Sequence, residues 1–80
     1  MGTDPVGDDV RVRLGCWVQV RDGQMEEGWR IVSADEADAL RRLISAETPL
    51  ARALLGRRAG EQVRVDGPEG RRPVTILSVG

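Results

Sequence analysis

Val10-Arg11-Val12-Arg13-Leu14-Gly15-Cys16-Trp17-Val18-Gln19-Val20-Arg21 is the most regular stretch of the chain. Val10, Val12, Leu14, Cys16, Val18 and Val20 take every even position, while Arg11, Arg13, Gly15, Trp17, Gln19 and Arg21 take the odd ones. Strict alternation of this kind belongs to a strand with one face buried and the other in water. Gly15 in the middle predicts a bulge or bend, with the run divided between two short strands. Asp22-Gly23 then predicts a turn. The first expectation is therefore a sheet whose opening strand directs Val, Leu and Cys inward.

Downstream, residues 24–28 are polar and read as a loop, and residues 29–34 (WRIVSA) as a second strand. Residues 35–39 form either a loop or a single helical turn that Asp35 could cap, and residues 41–46 (RRLISA) a short third strand. Residues 48–55 (TPLARALL) carry a helix: Thr48 stands at the N-cap, and Pro49 at the first helical position, where its missing N–H costs nothing. Leu50, Ala53 and Leu54 give it an apolar face, Gly56 stops it, and Arg57 and Arg58 stand near the negative end of its dipole. A helix this short does not persist alone, so it must pack on the sheet. Ala59-Gly60-Glu61 is a turn, residues 62–66 a fourth strand with Val63 and Val65 inward, and Gly67-Pro68-Glu69-Gly70 another turn. Residues 73–79 (PVTILSV) are apolar on both faces, as a strand is when it is central or covered by the helix. The sum is an α+β domain over residues 10–80, an antiparallel sheet of four to six strands wrapped around one short helix, with residues 1–9 as a flexible leader.

Eighty residues suffice for one domain with one modest core. That core must be aliphatic, because there is no Phe or Tyr and the only aromatics are Trp17 and Trp29. The net charge is −1. Residues 1–9 hold Asp4, Asp8 and Asp9, leaving 10 of the 13 acids against all 12 arginines in the rest, too small a positive balance for a phosphate-binding surface. Direct nucleic-acid binding is not expected. The single cysteine, Cys16, rules out an internal disulfide, and the absence of His removes an imidazole base or zinc ligand. No apolar run approaches a membrane span, so no membrane partner is expected and the location is expected to be cytoplasmic.

The segment Ile44-Ser45-Ala46-Glu47-Thr48-Pro49-Leu50-Ala51-Arg52-Ala53-Leu54-Leu55-Gly56 resembles the signature of the C-terminal domain of Gre transcript-cleavage factors. Leu14-Gly15, Val18-Gln19-Val20-Arg21-Asp22, Ile31-Val32, Asp35-Glu36-Ala37-Asp38, Gly60-Glu61-Gln62-Val63, the Gly-Pro-Glu-Gly turn and Val74-Thr75-Ile76-Leu77 agree in unbroken order. The resemblance implies an FKBP-like fold. It also implies the half of a Gre factor that grips the rim of the RNA polymerase secondary channel. The half that enters the channel is a coiled coil with an acidic, metal-holding tip. Residues 1–9 carry no heptads, and Asp8-Asp9 is not a plausible substitute for that tip.

By motif match, Glu47, Thr48 and Pro49 correspond to the family's docking loop, where Asp-Ser-Pro is more usual; the same residues also suit a helix start on capping grounds alone. Arg52, with Arg57 and Arg58, either faces acidic groups of a partner or complements the helix dipole in solvent. Trp17, on the open face of the first strand, either packs under a loop or anchors an interface. Cys16 reads as a buried structural thiol and Trp29 as core. Two tryptophans do not supply the aromatic pocket of a prolyl isomerase. The expected function is a binding module for RNA polymerase at the rim of the secondary channel. It would lack cleavage activity, catalytic residues, metal and cofactor, and would compete with Gre factors. The first alternative is a small-molecule-binding protein or biosynthetic enzyme built on the same domain, which calls for a deep pocket. The second is an oligomerisation module using a sheet edge or Trp17. The oligomeric state is left open.

Overall fold

The structure, a computed structural model, describes residues 10–80; the expected leader at residues 1–9 lies outside the described residues. Within them, β1 (Trp17–Asp22), β2 (Met25–Val32), β3 (Leu43–Ser45), β4 (Gln62–Gly67) and β5 (Gly70–Val79) form one sheet in the order β3-β2-β1-β5-β4. Helix α1 (Pro49–Leu54) follows β3 and packs beside β4. The architecture is α+β with five strands, as expected, but the sheet is mixed rather than the expected antiparallel one: β1–β2, β1–β5 and β4–β5 are antiparallel, while β3 runs parallel to β2. Two short 3-10 turns, Ala34–Glu36 and Ala39–Arg41, occupy the crossover that the parallel pair requires.

Val18 and Val20 of β1, Ile31 of β2, Val63 and Val65 of β4, and Val74 and Ile76 of β5 point to one side and meet Ala51 and Leu54 of α1. All of these core side chains are aliphatic. The central place of β5 accounts for its apolar residues on both faces. Thr48 caps α1 as expected: its hydroxyl accepts from the Ala51 N–H at 3.2 Å and donates to the Ser45 carbonyl at 2.9 Å. At one end of the core-facing side, Arg72 donates to the Asp22 carboxylate at 2.7 Å, tying β5 to β1 where the apolar residues stop.

Three further expectations are corrected. The alternating run from Val10 to Arg21 is extended sheet only from Trp17 onward. Gly15 adopts φ +92°, a conformation that suits glycine, and Cys16 N–H bonds back to the Arg13 carbonyl at 2.9 Å. This turn swings residues 10–13 off the sheet to the end of α1, where Val12 and Arg57 bond at 2.8 Å and the Gly56 N–H donates to Val12. Val12 is thereby buried, while Leu14 is left 59% exposed rather than inward. Residues 25–28 belong to β2 instead of a loop, because Gly23-Gln24 alone closes the β1–β2 hairpin. Asp35 does not cap a helical turn; Asp38 does, accepting from Leu40 N–H at 3.1 Å.

This account predicts a sharp contrast in urea unfolding. Leu54→Ala should lose about 2–5 kcal/mol and Thr48→Ala about 1 kcal/mol. Leu14→Ala should stay within about 0.5 kcal/mol of the parent, whereas an inward Leu14 on a long strand would make it costly.

Candidate functional site

Glu47, Thr48, Pro49 and Arg52 lie together at the start of α1. Ser45 sets this corner. Its carbonyl takes the Thr48 N–H at 3.1 Å, and its hydroxyl takes the Glu47 N–H at 3.0 Å. Thr48 is half-buried by its capping role, whereas Glu47, Pro49 and Arg52 are exposed. Neither Glu47 nor Arg52 has a side-chain ion pair among the described residues. The corner is therefore rigid in its backbone and offers one acid, one proline ring and one guanidinium to solvent.

Trp17 is not part of this corner. It stands on the sheet face opposite α1, in an open hollow shared with Arg30, Val32, Glu36, Arg41 and Leu43. The register places Trp17 opposite Arg30, and Gln19 opposite Gly28. The indole lies diagonally over Gly28, so closely that a Cβ built there would overlap the ring. Its Nε1–H reaches Gln19 Oε1 at 3.4 Å, and the side chain is still 38% exposed. Of the two readings for Trp17, packing is realised against a glycine of the next strand rather than under a loop. The exposed edge of the ring remains open to a partner.

Trp29, expected in the core, is half-buried against it and carries Arg42 over its ring at 4.1 Å from the centroid. The same guanidinium reaches Glu27 at 3.2 Å, and Arg42 itself has φ +62°, in the left-handed region. Cys16 is half-buried, its thiol 3.8 Å from the Arg11 carbonyl. Two hollows border α1 on its β4 side, sharing Arg52, Ala53 and Arg64. Arg64 escaped the sequence reading as a site residue. Its outward direction follows from its place between Val63 and Val65, but its proximity to α1 is tertiary. The described residues hold no group of three or more His, Cys, Asp or Glu placed to bind a metal ion, and no helix long and apolar enough to cross a membrane.

Residues 7–80 match the family model described as transcription elongation factor, GreA/GreB, C-term. The chain belongs to this GreA/GreB C-terminal family. It is 44% identical over 75 residues to transcription elongation factor GreA of Roseiflexus castenholzii, covering 91% of this chain and 48% of that protein. It is 37% identical over 70 residues to transcription elongation factor GreB of Yersinia pestis, covering 86% of this chain and 41% of that one. Among solved structures, the GreA factor homolog 1 (Gfh1) of Thermus thermophilus superposes with a TM-score of 0.76 at 29% identity, over 92% of this chain and 51% of its own. A GreA/GreB factor from Nitrosomonas europaea gives 0.71 at 26% identity, over 89% of this chain and 61% of its own. This GreA/GreB-family chain thus spans about half the length of the curated relatives it matches.

The seating of Trp17 on Gly28 is open to a direct check. In a Trp29→Phe background, Gly28→Ala should displace the indole, shift its emission to the red and increase its quenching by acrylamide. The accompanying destabilisation should be about 1–3 kcal/mol.

Proposed function

We propose that this domain docks on RNA polymerase at the rim of the secondary channel, through the corner formed by Glu47, Thr48, Pro49 and Arg52. It binds in the cytoplasm without cleaving RNA, and it competes with full-length Gre factors for that surface. What supports the reading is the joint presence of GreA/GreB C-terminal family membership and an exposed, rigidly capped helix start at the motif positions of the docking loop. The cap contributes in a specific way. The Ser45–Thr48 hydrogen bonds hold the backbone before any partner arrives, so little ordering entropy is lost on binding. Pro49 adds an apolar contact of fixed geometry, and Glu47 and Arg52 add charges that steer and orient. Trp17, on the other sheet face, would serve only a partner that wraps around the domain.

The test is binding of the purified chain to core RNA polymerase, read by interferometry or co-sedimentation. Saturable binding at micromolar concentrations is expected. A Glu47→Lys/Pro49→Ala double variant should bind at least about tenfold more weakly, a loss of about 1.4 kcal/mol. The parent chain should also displace a full-length GreA, and should leave backtracked transcripts uncut. A folded parent that fails to bind at micromolar concentrations would overturn the proposal.

A further inference from the structure

Among the described residues β4 is an edge of the sheet, paired only to β5. Its free side can be assigned from the ladder. The Glu61 carbonyl accepts from the Ile76 N–H at 2.9 Å, so residues of that parity turn their backbone groups toward β5. Gln62, Arg64 and Asp66 have the other parity, and Arg64 stands opposite Pro73, which has no N–H to offer. Their N–H and C=O groups therefore point away from the sheet, and among the described residues they take part in none of the backbone bonds outside the ladder. Helix α1 does not seal this edge. The two hollows sharing Arg52, Ala53 and Arg64 adjoin between helix and strand and together form a groove, with half-buried Leu55 and buried Val63 in one of them.

The charge along this groove is one-sided. Arg52 stands on the helix wall, Arg57 just past the helix end and Arg64 on the strand wall. Asp66 is neutralised by Arg71 at 3.0 Å and Arg57 lies 3.6 Å from Glu61, while Arg52 and Arg64 have no ion pair among the described residues. We propose that this groove takes an extended, carboxylate-bearing segment of a partner protein, which adds to β4 as a further strand. Main-chain hydrogen bonds to Gln62, Arg64 and Asp66 hold the segment. Carboxylates along it meet Arg64 on one wall and Arg52 on the other, in the forked geometry guanidinium favours. A second copy of this chain fits worse, since an antiparallel β4–β4 pairing centred on Arg64 sets that guanidinium against its own copy. The proposal deepens the docking reading, because Arg52 borders both surfaces, and its test contains no polymerase.

The probe is an acetylated peptide of about nine residues built from Glu-Glu-Thr repeats, which put carboxylates on both faces of a strand and are long enough to span it, titrated into 15N-labelled protein at low salt. The amides of Gln62, Arg64 and Asp66 are expected to shift and to exchange at least about tenfold more slowly. A Lys-for-Glu peptide should not bind. Arg52→Gln and Arg64→Gln should each weaken binding several-fold while keeping the amide protection at saturation. Arg64→Pro removes one outward N–H at an edge position that accepts proline, and should abolish the protection although the domain remains folded by circular dichroism. Four results would overturn the inference: no binding at millimolar peptide, binding without protection of these amides, shifts confined to the Trp17 hollow, or a peptide-free dimer in which the β4 amides are already protected. Failure here leaves a positive polymerase result intact. Loss of polymerase binding with peptide binding retained would remove the docking reading alone.

Discussion

Burial of Ala51 and Leu54 beneath α1 is the contact on which the rest of this domain depends. A six-residue helix has no stability of its own. It exists because one face closes the aliphatic core of Val18, Val20, Ile31, Val63, Val65, Val74 and Ile76. Without large aromatic side chains, that core is filled by small branched groups, which leave little slack for the helix to shift. Fixing the helix fixes what surrounds it. Its N-terminus is bonded through Thr48 to Ser45 of β3, and its C-terminal exit is clamped by Val12. Residues 10–13 are thus committed to holding the far end of α1, and cannot also extend the sheet.

That single placement gives the molecule two unlike faces. On the α1 side, the helix start and the β4 edge are joined through Arg52 and present polar backbone, guanidinium groups and a proline. On the opposite side, Trp17 rests on Gly28 in a hollow rimmed by Arg30, Arg41 and Glu36. The exposed ion pairs scattered elsewhere, such as Arg21–Glu26 and Arg71–Asp66, contribute little to stability and chiefly occupy charges that would otherwise be free. They leave Arg52 and Arg64 as groups whose chemistry is directed outward.

Most of the fold was legible because its signals are local. Thr48-Pro49 marks a helix start wherever it precedes an apolar face, and Val63 and Val65 alternate as any half-buried strand does. Leu14 shows where local reading fails. Its parity matched Val12 and Val18, but a glycine with positive φ reset the direction of the chain, and what lay beyond it was decided by a partner more than 40 residues away, Arg57. The polar start of β2 was obscured because Glu26 and Glu27 sit opposite Arg21 and Val20 in a hairpin, where pairing outweighs composition. The parallel course of β3 could not be seen at all, since three residues carry no directional signal. For the candidate site, motif positions located Glu47, Thr48, Pro49 and Arg52. The separation of Trp17 from them, the seat that Gly28 provides, and the approach of Arg64 to the helix are all products of tertiary packing.

The position of β5 has one more consequence. Among the described residues, the strand latest in sequence order is also an interior strand, flanked by β1 and β4, and Gly80 exchanges backbone hydrogen bonds with Trp17 at 2.7 and 2.8 Å. During synthesis β1, β2 and β3 can associate as they emerge, but β1 and β4 each wait for β5, which follows both of them in the sequence. The domain is therefore a late-closing structure. Until β5 is made, a nascent chain carries two unpaired sheet edges that the finished molecule hides.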